Sequence, residues 1–206
     1  MVKTILWDFD GVILDSMKIK GDGFIELFEG YNDIKVRELE KYHYENGGVS
    51  RFEKIEYFFK ELLNQKISEK EILDLAEKFA LIIEKKIYNQ SNLIEDTLVF
   101  IQNHSHMYNF HIVSGAEHKE LNKICTYFNL DKFFLTINGS PRKKELLVKD
   151  LLEQYNYQRE QTILIGDSIT DYNAAYNNSI KFFGFNNNLL KQYGNYINTF
   201  QGLRFE

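Results

Sequence analysis

Five short apolar runs, each closed by a polar or glycine turn, set the architecture: Val2 to Trp7, Phe110 to Val113, Phe133 to Ile137, Thr162 to Ile165 and Ile180 to Phe183. They are rich in β-branched and aromatic residues and too short for buried helices, so they read as strands. The intervening segments carry helical spacing, as in Leu121, Ile124, Cys125 and Phe128. Strand alternating with helix predicts a doubly wound α/β fold whose parallel sheet is buried on both faces.

One stretch breaks this alternation. From residue 16 to about residue 92 the strand signals vanish, while Phe52, Ile55, Phe59 and Leu62 form one helical stripe and Ile72, Leu75, Phe79 and Ile82 another. This predicts an inserted all-helical cap domain (16–92) within an α/β core made of 1–15 and 93–206. Ser68 and Glu71 have capping-box spacing, and Gly47-Gly48 interrupts the helices before Arg51. Pro141 is the only proline, so the insert joins the core through ordinary polar junctions near Ser16 and Asn89 to Asn92. The 206 residues, 44% of them hydrophobic, suffice for one core and a smaller insert.

The net charge of −5 argues against nucleic acid or an anionic membrane as a partner. The lone Cys125 excludes an internal disulfide, matches no zinc spacing, and sits on an apolar stripe as an inert thiol. Such cysteine usage suits the cytoplasm. Met1 to Trp7 lacks the length and cleavage site of a signal peptide, and no run reaches transmembrane length.

The first strand runs into Asp8-Phe9-Asp10-Gly11. Alternate strand residues share a face, so Asp8 and Asp10 can point the same way, and Gly11 permits the turn that frees them from the sheet. Two adjacent carboxylates are costly to bury and call for a cation. Three further polar turns fall at later strand ends, where open α/β sheets bind ligands. Ser114-Gly115-Ala116-Glu117 reads as a helix start, with Ser114 as cap and Glu117 at the capping-box position, and so as an anion site. Gly139 to Lys144 sets a basic run before a helix, and Gly166-Asp167-Ser168-Ile169-Thr170-Asp171 brings two more carboxylates.

In this order the four turns resemble the motifs of the haloacid dehalogenase superfamily of phosphohydrolases, over nearly the whole chain. Asp8 to Val12 is similar to its first motif, Ser114 to its second, a lysine of the 142–144 run to its third and the Gly-Asp-x-x-x-Asp of 166–171 to its fourth. The resemblance implies a Rossmann-like core with a helical cap, and a Mg²⁺-dependent phosphatase acting on a small phosphorylated metabolite. Asp8 is then the nucleophile and a metal ligand, Asp10 the general acid and base that also gives the metal its backbone carbonyl, and Asp167 a further ligand. Ser114 and Gly115 hold phosphoryl oxygens, Lys144, or failing it Lys143, neutralises charge, and Asp171 orients that lysine or a metal-bound water. The superfamily's true dehalogenases lack the second aspartate of the first motif, so Asp10 argues against carbon–halogen cleavage.

In related enzymes a cap arginine in a stretch like Gly47 to Arg51 meets the substrate, which makes Arg51 a candidate substrate contact. His43, Tyr42 and Tyr44 line the same cleft or pack the cap, whereas His104, His106, His111 and His118 have no ligand spacing and suit surface or strand-end positions. Within the phosphatases the chain is most similar to the phosphoglycolate phosphatase branch. A phosphosugar mutase of the β-phosphoglucomutase kind is the alternative, since Gly48-Val49-Ser50-Arg51 resembles its cap stretch, but Lys20 stands near the place of its cap-hinge histidine. A non-enzymatic phosphoacceptor signalling domain gathers similar residues but lacks a large insert after the first strand.

Overall fold

The computed structural model describes residues 1–205. Its strands are β1 Thr4–Trp7, β2 Asn109–Glu117, β3 Thr136–Ser140, β4 Thr162–Gly166, β5 Lys181–Phe185 and β6 Asn195–Ile197. All pair in parallel, in the order β3-β2-β1-β4-β5-β6, which is the Rossmann-like doubly wound arrangement. The helices are α1 Met17–Leu27, α2 Asp33–Glu45, α3 Arg51–Tyr57, α4 Glu69–Ile87, α5 Glu95–His104, α6 His118–Tyr127, α7 Lys144–Gln154 and α8 Ile169–Asn177.

The near-continuous apolarity of the strands follows from burial on both sides. Ile5 and Trp7 pack with Ile112 and Ile165 beneath Phe100 of α5 and Leu121 and Ile124 of α6. Leu6, Val113 and Leu164 face the other way, against Leu147 and Leu151 of α7 and Ala174 of α8. Cys125 belongs to the first of these clusters, where burial pushes its thiol up to about 12.

Three local expectations are revised. The 133–137 run does not pair throughout: Asp131–Phe133 form a 3-10 turn, β3 starts at Thr136, and Phe134 plugs the core instead of joining the ladder. Strand β2 extends to Glu117, so Ser114 does not cap a helix. Glu117 caps α6 itself, its carboxylate accepting the Lys119 and Glu120 N–H groups at 3.0 and 2.8 Å. His111 is wholly buried, its ring nitrogens 2.8 Å from Thr136 Oγ1 and 3.0 Å from the Tyr157 hydroxyl, and burial draws its pKa down to about 4. Strand β6, only three residues long, carries too little pattern to be read in advance.

Helices α1 to α4 lie between β1 and β2 in the chain and build an apolar cluster of their own from Phe24, Phe28, Leu39, Ile55, Phe58, Phe79 and Ile83. Ser68 and Glu71 form the capping box their spacing predicts, and Ser50 with Glu53 forms another at the start of α3. The chain enters and leaves this helical segment side by side: Leu14 bridges Leu93, and Asp15 N–H donates to Asn92 O at 2.7 Å. Among the described residues, no helix is long and apolar enough to cross a membrane.

Candidate active site

The sheet order places β1 between β2 and β4, where successive strands are added on opposite sides and a crevice opens at their carboxyl ends. Asp8 leaves β1 there, its N–H held by Ile165 O at 2.9 Å, and Asp167 leaves the neighbouring β4. Gly11 turns the chain away with φ +77, and a Cβ on it would come within 2.0 Å of an Asp167 carboxylate oxygen. Oxygens of Asp8, Asp167 and Asp171 lie within 4.8 Å of one another.

Lys144, at the first turn of α7, is buried with its Nζ 2.8 Å from Asp8 and in contact with Asp171. Lys143 stands outside this contact as the exposed residue preceding α7, and Arg142 pairs with Asp150. Asp171 accepts the Ser168 N–H at 3.1 Å and its hydroxyl, so its oxygens are already engaged. Asp167 Oδ1, by contrast, is buried with no partner.

One lysine among three carboxylates, Asp8 and Asp171 buried and Asp167 half-buried, leaves the site short of positive charge. Burial, then the Asp171 charge, raises Asp8 to about 7; burial and the Asp8 charge raise Asp167 well above the ordinary carboxylate value. Lys144, against its own burial, is held above the usual lysine range by Asp171 and Asp8. An unpartnered carboxylate oxygen in an all-oxygen donor set fits a hard divalent cation such as Mg²⁺ rather than zinc.

Asp10 sits apart from this cluster. Despite burial, it is held below the ordinary carboxylate range by Lys20, whose Nζ lies 2.5 Å away, and by the Ser16 hydroxyl. Ser16 and Lys20 are four residues apart at the start of α1 and so share a helix face, a spacing legible in the sequence but read there only as a departure from a mutase. His43 Nε2 is 2.9 Å from Met17 O and its Nδ1 3.0 Å from Lys54 Nζ. That contact makes Nδ1 the acceptor and Nε2 the donor; burial and Lys54 lower His43 to about 3, and burial and Lys20 lower Lys54 to about 7. Tyr42 instead stacks on Tyr57, and Tyr44 is exposed.

At the end of β2 the pairing with β3 slips between Val113 and Glu117. Ser114 is fully buried there, its Oγ accepting Ala116 N–H at 3.1 Å. A Cβ on Gly115 would come 2.3 Å from Gly48 O, so the Gly47-Gly48 turn between α2 and α3 rests directly on this strand end. Beside it, Asp10, Lys20, His43, Arg51, Lys54 and Gly115 enclose only about 20 Å³, room for one water. A second pocket of about 180 Å³ reaches Lys144 between Gly48, Ser50, Ser140 and Thr170. Arg51 does not stand free: both arms of its guanidinium bind Glu120 of α6, one at 2.9 Å.

Over residues 5–185 the chain matches the model of the haloacid dehalogenase-like hydrolase family, and it belongs to that family. No curated protein matches it by sequence. Among solved structures it is similar to a β-phosphoglucomutase from Clostridium difficile, with TM-score 0.78 and 18% identity over 100% of this chain and 94% of that one. CbbY from Rhodobacter sphaeroides, in complex with xylulose-(1,5)bisphosphate, gives TM-score 0.75 and 15% identity over 97% and 95% of the two chains. A protein from Haemophilus somnus described as a predicted phosphoglycolate phosphatase gives 0.69 and 17% over 96% and 88%. At these identities the likeness is one of fold.

Proposed function

We propose that the chain is a Mg²⁺-dependent phosphatase that hydrolyses a small-molecule phosphate monoester through a phosphorylated Asp8, with residues 16–92 acting as its cap. The observation that carries this reading is the cation-poor cluster of Asp8, Asp167 and Asp171 served by one lysine. A phosphate dianion meeting Asp8 alone would be repelled by roughly 8 kcal/mol, two unit charges at about 4 Å and an effective dielectric of about 20. Asp8, Asp167 and the Asp10 carbonyl would hold Mg²⁺, which supplies the charge that draws phosphate onto Asp8.

The Asp8 carboxylate attacks phosphorus in line, the ester P–O bond breaks, and the leaving oxygen takes a proton from Asp10. Water then attacks the phosphorus of the Asp8 ester, its proton passes to Asp10, and phosphate departs as the Asp8 carboxylate is restored. Lys20 and Ser16 favour the ionised form of Asp10, which suits the second half of this cycle. Ser114 and Gly115 hold phosphoryl oxygens, while Lys144, positioned by Asp171, balances growing charge. The cramped space over Asp10 means that substrate enters only when the cap swings on its paired crossings. Gly115→Ala should therefore misplace the cap turn and lower kcat/KM by on the order of tenfold to a hundredfold; an unchanged value would detach Gly48 from the reaction.

The reading is tested by phosphate release from p-nitrophenyl phosphate, with Mg²⁺ required and EDTA abolishing turnover. No metal-dependent release from this or from a panel of phosphorylated metabolites would overturn it. A thermal readout follows from the raised carboxylates. In metal-free protein, Asp8 keeps its proton between its unfolded value near 3.8 and about 7, so its ionisation costs stability as the pH rises through that window. Mg²⁺ takes the proton's place, and its stabilising effect should be larger at about pH 8 than at about pH 5; an equal gain at both would place the ion elsewhere.

A phosphosugar mutase is the second reading, favoured by the Gly48 to Arg51 stretch. Incubation with a hexose 1-phosphate and a bisphosphate activator decides it: isomerised sugar without net phosphate release would replace the phosphatase.

A further inference from the structure

We propose that Glu120 is a specificity-determining residue: by occupying both arms of Arg51 it selects phosphate esters whose leaving group is uncharged and disfavours those with a second phosphate or a carboxylate. This rests on the phosphatase reading of the same site. Arg51 borders the small pocket that holds Asp10, and its guanidinium is the one bidentate anion receptor that the helical segment offers there. Its fork is spent on an internal carboxylate contributed by the core helix α6, 69 residues along the chain. One face is covered by Phe79, 4.9 Å from the guanidinium carbon to the ring centroid. The pair is secluded, with 6% of the arginine and 14% of the glutamate side chain exposed.

A second anion on the substrate would have to displace Glu120 and leave it buried beside like charge. Two other cations line this pocket. Lys20 is matched by Asp10, and Lys54 is held by neutral acceptors, His43 Nδ1 and the Gly47 carbonyl. A hydroxyl-bearing leaving group makes no such demand. It meets a preassembled wall in which Arg51 is already neutralised.

The test uses a size-matched pair of substrates, 2-hydroxyethyl phosphate and 2-phosphoglycolate, which differ by a carboxylate in place of a hydroxymethyl group. The wild-type protein should prefer the uncharged member at least tenfold in kcat/KM. Glu120→Gln, which keeps the shape and removes the charge, should shrink that preference at least tenfold, and Arg51→Gln added to it should remove the gain. Wild-type preference for phosphoglycolate, or a ratio unmoved by Glu120→Gln, overturns the proposal. Absence of turnover of both compounds in every form leaves the phosphatase reading to the p-nitrophenyl phosphate assay, and the role of Glu120 to binding. Calorimetric binding then decides the role of Glu120: 2-phosphoglycolate at least tenfold tighter on the Glu120→Gln form supports it, and equal affinity overturns it.

Discussion

Asp8→Asn is expected to lower phosphate release by on the order of 10⁴-fold or more, the scale of loss when a covalent nucleophile is removed from a preorganised site. At about 1.4 kcal/mol per decade this is at least about 5.5 kcal/mol of transition-state stabilisation. The fold should survive and even gain. Asp8 is buried beside Asp171 and Asp167, and its raised pKa records the cost of ionising it there without a cation. A neutral amide of the same shape removes that cost, so metal-free Asp8→Asn should melt above the metal-free wild type at about pH 8. The affinity for Mg²⁺ should drop at the same time. A variant with near-normal turnover would exclude the phosphorylated Asp8, and one that melts lower would show that Asp8 holds the site together in its own right.

The parts of this molecule that were legible in the sequence are those with short-range signatures. Apolar runs ending at Asp8 and Gly166 announce strands because burial on both faces demands continuous hydrophobicity, and Ser68 with Glu71 announces a helix start because the capping contacts are local. Where local chemistry fits two outcomes, the tertiary fold decides. Ser114 followed by Glu117 reads as a capping box, yet pairing with β3 resumes at Glu117 and carries the strand past it. Phe133 and Phe134 read as strand residues because a core plug and a ladder position are equally apolar. The least legible features are the partners brought from afar. Nothing near Arg51 foretells Glu120, and Lys144 ranks above Lys143 in the sequence only through the resemblance to the third motif; the physical reason is that α7 begins at Lys144 and turns its side chain inward. The sheet's order, not its composition, assembles the carboxylates. Only a chain that adds β2 and β4 on opposite sides of β1 brings residues 8, 114 and 167 to one crevice.

Lys144→Met should be the most damaging single change to stability, and it should impair the chemistry as well. The lysine is enclosed and bonded to both Asp8 and Asp171, so its loss leaves two buried carboxylates and the half-buried Asp167 with no cation. Removing one partner of a buried pair costs about 3–5 kcal/mol, and here the deficit is shared by two partners. Lys144 is held above its usual value, so its contribution is complete below the unfolded lysine pKa of 10.5 and fades only as pH rises beyond it. The destabilisation should therefore persist across the neutral range, measured by denaturant unfolding in EDTA. Adding Asp171→Asn separates structure from catalysis: Ser168 can still donate to the amide oxygen, and one uncompensated charge is gone. The double variant should recover a large share of the lost stability, while phosphate release stays down by on the order of 10³-fold, because the charge that balances the phosphoryl group is still missing. Recovery of activity along with stability would make Lys144 a structural counterion with no part in phosphoryl transfer. Failure to recover stability would mean that the lysine's aliphatic packing, rather than its charge, holds α7 against the strand ends.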